Sequence, residues 1–254
     1  MIHIDLTDQN ILVTGASDGI GNEIASYLMK MGANVGVHFC QNKNAAQNLI
    51  DQFPDTNSHI FQANFEITSD VQRFWQEAMA TFGRIDAIVL NAGVFLRQPF
   101  DDSVKDWYEI WQQTMRINLD APALLTQLGL NHFKKQQGGR FIYMASRAVF
   151  RGETEEYLAY AASKGGLVSL ARSVARSFGK LNVKSFVIAP GFVKTKMAEQ
   201  FIADHGSQKI LDEIALNKLT VPEDISPLVA LMCSGAMDHT TGSTIDLNAG
   251  SHIR

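Results

Sequence analysis

Tyr160 and Lys164 stand four residues apart in the run Tyr160-Ala161-Ala162-Ser163-Lys164. On a helix that spacing puts a phenol and an ammonium on one face. A free tyrosine titrates near ~10 and is a weak acid and a weak base at neutral pH. A cation beside it favours the phenolate and brings that value down. Such a pair can give a proton to a carbonyl oxygen as hydride arrives at the carbon, or take the proton in reverse. Ser146 adds a second hydroxyl directly after an apolar run that reads as a strand. It could hydrogen-bond a developing alkoxide, or it could cap a turn, and the residue type does not choose between these. Tyr157 lies one turn ahead of Tyr160 without a lysine at i+4, and reads as packing or as a wall of the substrate space. Y-x-x-x-K alone arises easily by chance, so its setting decides.

That setting begins at Thr14-Gly15-Ala16-Ser17-Asp18-Gly19-Ile20-Gly21. These residues fall between a buried-strand candidate, Asn10 to Val13, and a helix from about Ile20 to Met31. Glycines let the chain turn sharply, let a pyrophosphate approach the backbone, and let helix and strand pack closely. The helix N-terminus then offers unpaired N–H groups and partial positive charge to phosphates. Many strand-to-helix turns contain glycine, but the context at the start of the chain favours dinucleotide binding over a purely structural turn.

Apolar runs alternate with helical patterns along the rest of the chain. Further strands are expected at Asn34 to Phe39, His59 to Gln62, Ile85 to Leu90, Arg140 to Ala145, Val183 to Ile188 and Ser243 to Leu247. Between them lie a polar helix through Ala45, Leu49 and Ile50, and a helix opened by Ser69-Asp70 and carrying Val71, Phe74, Trp75 and Ala78. A long helix follows from Val104 to Lys135, then another from Tyr157 to Gly179. This rhythm implies parallel pairing with right-handed crossovers and a sheet covered on both faces. The expected fold is α/β, a single Rossmann-type doubly wound domain over residues 1–254 with about seven parallel strands. The polar stretch from Val193 to Thr220 breaks the rhythm just after strand six, and reads as a mobile substrate lid over the carboxyl edge of the sheet.

The 254 residues are 46% hydrophobic and 19% charged, with a formal charge of -4 and a pI of about 6.0. That composition suits one sizeable core and offers no basic stripe for nucleic acid. The two cysteines, Cys40 and Cys233, make neither a disulfide framework nor a metal knuckle, so no metal site is expected and reduced thiols fit a cytoplasmic protein. The first residues do not form a signal peptide, and no stretch is long and apolar enough for a membrane span.

The ordered motifs resemble the short-chain dehydrogenase/reductase family over essentially the whole chain. The turn matches T-G-x-x-x-G-x-G, Asn91-Ala92-Gly93 matches N-A-G, and Asn118, Ser146, Tyr160 and Lys164 match the catalytic tetrad. Ala189-Pro190-Gly191-Phe192-Val193-Lys194-Thr195 matches the P-G-x-x-x-T segment, and Pro222-Glu223-Asp224-Ile225 the P-E-D-I/V stretch. The resemblance implies that Tyr160 is the general acid/base, and that Lys164 lowers its pKa and binds the nicotinamide ribose. It gives Ser146 the orienting of substrate and Asn118 the holding of a relay water. The implied cofactor contacts are Gly15, Ser17, Asp18, Gly19, Ile20 and Gly21 in the turn, then Phe39, Asn64, Phe65, Asn91, Ala92 and Gly93. Tyr160, Lys164, Pro190, Gly191, Val193 and Thr195 complete the set. The chain departs from the pattern in three places: a Ser146-to-Tyr160 loop one residue longer than in close bacterial relatives, Asn64 where an acidic residue often contacts adenine, and Asn248-Ala249-Gly250 where D-G-G is commoner.

Hydride transfer between a nicotinamide and a carbonyl or secondary alcohol follows. The nearest pattern is that of bacterial 3-oxoacyl-(acyl carrier protein) reductases. Lys134 and Lys135 could meet an acidic carrier, although a solvated helix end explains them as well. A reductase of a free sugar, polyol or other secondary alcohol, and a catalytically silent nucleotide-binding regulator, are the alternatives. A Ser-Lys hydrolase is disfavoured because no G-x-S-x-G elbow surrounds Ser146. The second strand ends Phe39-Cys40-Gln41-Asn42-Lys43, with no carboxylate for a ribose 2′-hydroxyl, which favours NADP(H) over NAD(H). Asp18 weighs against it, since a carboxylate near a 2′-phosphate repels it. The resemblance also implies a homo-oligomer, tetramer or dimer.

Overall fold

Alternate residues of each central strand enter two different apolar clusters, which is how a sheet buries both its faces. The computed structural model describes residues 4–195, 208 and 211–254. On β1 (Asn10–Val13), Ile11 and Val13 point to one cluster and Leu12 to the other. The same division holds on β4 (Ala87–Leu90) and β5 (Gly139–Met144), where Val89 and Ile142 face one side and Ile88 and Phe141 the other. With β2 (Asn34–Phe39), β3 (His59–Gln62), β6 (Val183–Pro190) and β7 (Thr244–Leu247), these form one seven-stranded parallel sheet in the order β3-β2-β1-β4-β5-β6-β7. The expected doubly wound α/β fold is the one observed.

The first cluster gathers α1 (Gly19–Lys30), α2 (Lys43–Ile50) and the final helix α8 (Ser226–Ser234). The second gathers α3 (Thr68–Phe82), α5 (Ala121–Gln136) and α7 (Leu158–Phe178). A single turn, α6 (Ala148–Arg151), separates Ser146 from the loop leading to α7. Chain order reverses between β1 and β4, so the crevice outside their carboxyl ends is the place where such a sheet takes a ligand.

Three expectations change in detail. The helix foreseen from Val104 to Lys135 is α4 (Val104–Met115) and α5, joined by a π-helical turn over Arg116–Asp120. Single π turns inside helices mark functional positions, and this one carries Asn118. Ser69 and Asp70 do not precede α3; they lie in its first turn, where Asp70 accepts the Asn64 N–H at 2.9 Å and pairs with Arg73. Lys134 and Lys135 sit in the last turn of α5, which leads into the start of β5. They are therefore at the opposite edge of the sheet from the crevice, and a carrier protein docked on them would not face it.

Of the segment Val193 to Thr220, residues 196–207, 209 and 210 lie outside the described residues. Its two ends meet: Val193 and Thr220 form a parallel bridge, and the Lys194 N–H donates to the Thr220 carbonyl at 2.9 Å.

Candidate active site

The turn after β1 is tied to the end of β4 by one hydroxyl and one amide. Thr14 Oγ1 donates to the Val89 carbonyl and accepts the N–H groups of Asn91 and Ala92, both at 2.9 Å. Asn91 Nδ2 returns two bonds, to the carbonyls of Thr14 and Gly15. This closeness leaves no room for side chains. A Cβ on Gly21 would stand 2.1 Å from the Gly15 carbonyl oxygen, and Gly15, at φ +64°, would put one 2.9 Å from Ala92 Cα. Asp18 caps α1, its Oδ1 accepting the Gly19 N–H at 2.7 Å, so its charge is turned to the helix end.

On the other side of the crevice stand β5 and α7. Lys164 is buried, 5% exposed, and its Nζ donates to the Met144 carbonyl at 2.8 Å while lying 5.8 Å from the centre of the Tyr160 ring. Ser146, also buried, stands close enough to Tyr160 for its hydroxyl to lower the phenol's pKa, and accepts the Ala148 N–H at 3.1 Å, the turn-capping role. Asn118 is fully buried. It accepts from the Val94 N–H at 2.8 Å and donates to the Val94 carbonyl and to Ser163 Oγ, locking the π turn to the loop after Asn91-Ala92-Gly93. Gly93 makes this possible, since a Cβ there would come within 3.2 Å of Asn118 Oδ1 and 3.3 Å of Lys164 Nζ.

The proton chemistry differs from the simple pair read in sequence. Burial of its hydroxyl end raises the Tyr160 pKa above the ordinary tyrosine value, against a smaller lowering by the Ser146 hydroxyl. The lowering of Tyr160 by Lys164 expected from the spacing is not among the causes of the shift, which desolvation dominates. Lys164 itself is pulled down to about 8 by burial. At neutral pH the phenol holds its proton and the amine is mostly charged.

A cleft of about 290 Å³ joins the two sides, lined by Gly15, Ser17, Asp18, Gly19, Ile20, Asn91, Ala92, Gly93, Tyr160, Lys164, Pro190 and Thr195. Val94, where the expected substrate-choosing loop Val94 to Phe100 begins, also lines it, as do Met144 and Ala145, which were not foreseen although Met144 ends β5 and Ala145 follows it at the carboxyl edge. Ser146 and Asn118 stand behind this lining as described. Gly21 supports the turn from beneath. Gly191 packs against Asn248, where a Cβ would meet Cα at 2.8 Å, and Val193 is buried in the first core cluster. Phe39 and Phe65, 2% and 5% exposed, are core side chains, so what they offer an adenosine is backbone. Asn64 accepts the Glu66 N–H with its Oδ1. Phe95, within the expected substrate-choosing loop Val94 to Phe100, stacks on Tyr157 at 3.9 Å and meets the Tyr160 ring edge-on at 4.7 Å, making Tyr157 part of an aromatic wall.

A glycine-lined turn, a buried amine and a hydroxyl pair around one crevice fit a nicotinamide dinucleotide. Among the described residues no group of three metal-ligating side chains occurs, and no helix is long and apolar enough to cross a membrane. Comparison with known proteins agrees with the geometry. The chain is 28% identical over 257 residues to the 3-oxoacyl-[acyl-carrier-protein] reductase FabG of Aquifex aeolicus, covering 98% of this chain and 99% of that protein. It superposes on a short chain dehydrogenase from Burkholderia cenocepacia, solved in complex with NADP, with a TM-score of 0.87 at 25% identity, covering 97% of this chain and 98% of the other. A 7α-hydroxysteroid dehydrogenase complexed with NADH and 7-oxo glycochenodeoxycholic acid gives a TM-score of 0.89 at 25% identity, covering 99% and 98%. The short chain dehydrogenase profile matches residues 9–206. The chain belongs to the short chain dehydrogenase family, and is an oxidoreductase acting on CH–OH with NAD or NADP as acceptor.

Proposed function

We propose that this enzyme is a ketoreductase of the 3-oxoacyl-(acyl carrier protein) reductase type, using NADP(H) in preference to NAD(H). Tyr160, Lys164, Ser146 and Asn118 are its catalytic residues. The observation that carries the reading is the convergence of Tyr160 and the buried Lys164 amine on the cleft that the glycine turn lines. When bound, the nicotinamide supplies the hydride. Tyr160, protonated at neutral pH, gives its proton to the carbonyl oxygen, and Ser146 hydrogen-bonds the same oxygen as charge grows on it. Lys164 holds the nicotinamide ribose hydroxyls with its ammonium. Asn118 keeps the space beside Lys164 shaped for the relay water. The segment 193–220, whose ends meet at Val193 and Thr220, is assigned the role of substrate lid. A cytoplasmic homo-oligomer is part of the same proposal.

A second reading, reduction of a free small-molecule carbonyl, has two observations in its favour. The wall beside Tyr160 is aromatic, Phe95 and Tyr157, and the two lysines that could receive an acidic carrier are at the other edge of the sheet. Steady-state assays with a 3-oxoacyl thioester on its carrier protein, and with free sugar, polyol-derived and hydrophobic ketones, separate the two. In either case Tyr160→Phe should lower kcat by at least about 10²-fold, since acid/base groups supply roughly 10²–10⁴-fold, with cofactor affinity nearly unchanged. A fully active Tyr160→Phe enzyme would refute the assignment.

A further inference from the structure

His38, next to last on β2, has no part in the acid/base chemistry, yet it is 3% exposed and both ring nitrogens are engaged. The Gly15 N–H donates to Nδ1 at 2.9 Å. Nδ1 is therefore the acceptor, and the ring hydrogen is on Nε2, which donates to the Ala63 carbonyl at 3.1 Å. The ring lies flat on Phe65, with centroids 3.9 Å apart and an angle of 11° between planes, and takes the edge of Phe74 at 5.2 Å. The His38 backbone carbonyl also accepts the Ala16 N–H at 2.8 Å. One residue thus holds the glycine turn at two consecutive amides. Through its other nitrogen it holds the segment Ala63-Asn64-Phe65 at the end of β3.

We propose that His38 is a positioning residue for the nicotinamide cofactor: a neutral imidazole, locked as the Nε2–H tautomer, that sets the glycine turn against the segment flanking the adenosine. The proposal rests on the reading of this cleft as the dinucleotide site. Neutrality is required because a proton on Nδ1 would face the Gly15 N–H donor to donor. Burial enforces it, lowering the pKa to about 4. A purely space-filling side chain would leave the Gly15 amide and the Ala63 carbonyl without these partners. The turn has no side chain of its own at Gly15 to hold it, and its φ of +64° leaves many alternatives open. His38 fixes one of them before the cofactor arrives, and preorganisation of this kind is read out as affinity.

Three substitutions separate the two bonds. In His38→Asn the amide oxygen reaches the place of Nδ1, so the Gly15 bond is kept. In His38→Gln the amide nitrogen reaches the place of Nε2, so only the Ala63 bond is kept. His38→Leu keeps neither. Titration with NADPH and NADH, followed by nicotinamide fluorescence, should give dissociation constants within about 3-fold of wild type for His38→Asn. They should be at least tenfold weaker for His38→Leu, about 1.4 kcal/mol, with His38→Gln in between. The kcat at saturating cofactor should stay within about 3-fold in all three. Wild-type affinity in His38→Leu, or equal losses in the Asn and Leu variants alongside equal drops in Tm, would overturn the proposal. Should His38→Leu fail to fold, ¹H–¹⁵N spectra of the wild-type histidines provide the test. The His38 signals, assigned by their absence in the Asn variant, should show the Nε2–H tautomer and shift on saturation with NADPH; no shift refutes the role. A wild-type protein that binds neither cofactor would instead refute the reading of the cleft itself.

Discussion

Burying the Lys164 amine is costly. Its folded pKa of about 8 lies below the ordinary lysine value of 10.5 because burial disfavours the charged form. Above pH 10.5 the amine is neutral folded and unfolded, and there is no penalty. As pH falls from 10.5 to 8 the unfolded chain takes up a proton that the native state refuses, so stability falls by about 3 kcal/mol, and stays lower below pH 8. Between pH 8 and 10.5 the cofactor-free wild type should therefore gain stability relative to Lys164→Met. Urea unfolding of both at several pH values checks it; parallel curves would show that burial is not what holds the amine. The lost bond to Met144 offsets part of the benefit at pH 7, and activity should vanish in the variant. The pairing of Tyr160 with Lys164 was legible from spacing. The sign of the Tyr160 shift was not, because spacing says nothing of desolvation. His38 was illegible for the same reason: a histidine in an apolar strand gives no hint of which amide it will meet.

At the scale of elements, the site depends on how α7 is started. Gln98 is fully buried in the loop between β4 and α4, and its side chain donates to the Trp107 carbonyl at 2.9 Å while accepting the Ala159 N–H at 3.3 Å. Its own N–H donates to the Glu156 carbonyl at 2.7 Å, and the neighbouring Arg97 pairs with Glu156. One carboxamide thus joins α4 to the first turn of α7, one residue before Tyr160. Gln98→Leu leaves the buried Ala159 amide without its partner, at about 1–3 kcal/mol, and removes the bond to the Trp107 carbonyl. It should lower unfolding stability by roughly 2 kcal/mol and reduce kcat while largely sparing cofactor affinity. Denaturation together with kcat and cofactor titration checks it; an unchanged kcat would mean that the clamp does not reach Tyr160. The elements themselves were readable because strands buried on both faces are continuous apolar runs and amphipathic helices repeat. The π turn at Arg116–Asp120 was not, because one i→i+5 turn leaves the apolar pattern of a long helix intact.

At the scale of the whole molecule, a sheet with its order reversed between β1 and β4 gathers residues from positions 15 to 195 into one crevice, and cofactor binding should be felt by the entire fold. A ligand at about 100 times its dissociation constant stabilises the native state by about 2.7 kcal/mol. In a chain of this size that raises Tm by roughly 5–10 °C. Which nicotinamide does so depends on the end of β2. Cys40, Gln41, Asn42 and Lys43 are exposed there and carry no carboxylate. Asn42 is occupied in capping α2, its Oδ1 accepting the Ala45 N–H at 3.1 Å. Lys43, the first residue of α2, adds its charge to the positive end of that helix. Asp18, the one carboxylate of the turn, is held by the Gly19 N–H, which tempers its repulsion of a 2′-phosphate. NADPH should therefore raise Tm more than NADH at equal concentration. Lys43→Ala should weaken NADPH binding by about 3–10-fold and leave NADH unchanged, as expected for a partly exposed charge contact. Equal Tm shifts with the two cofactors, or a Lys43→Ala variant that binds both as before, would place the discrimination elsewhere than at the end of β2.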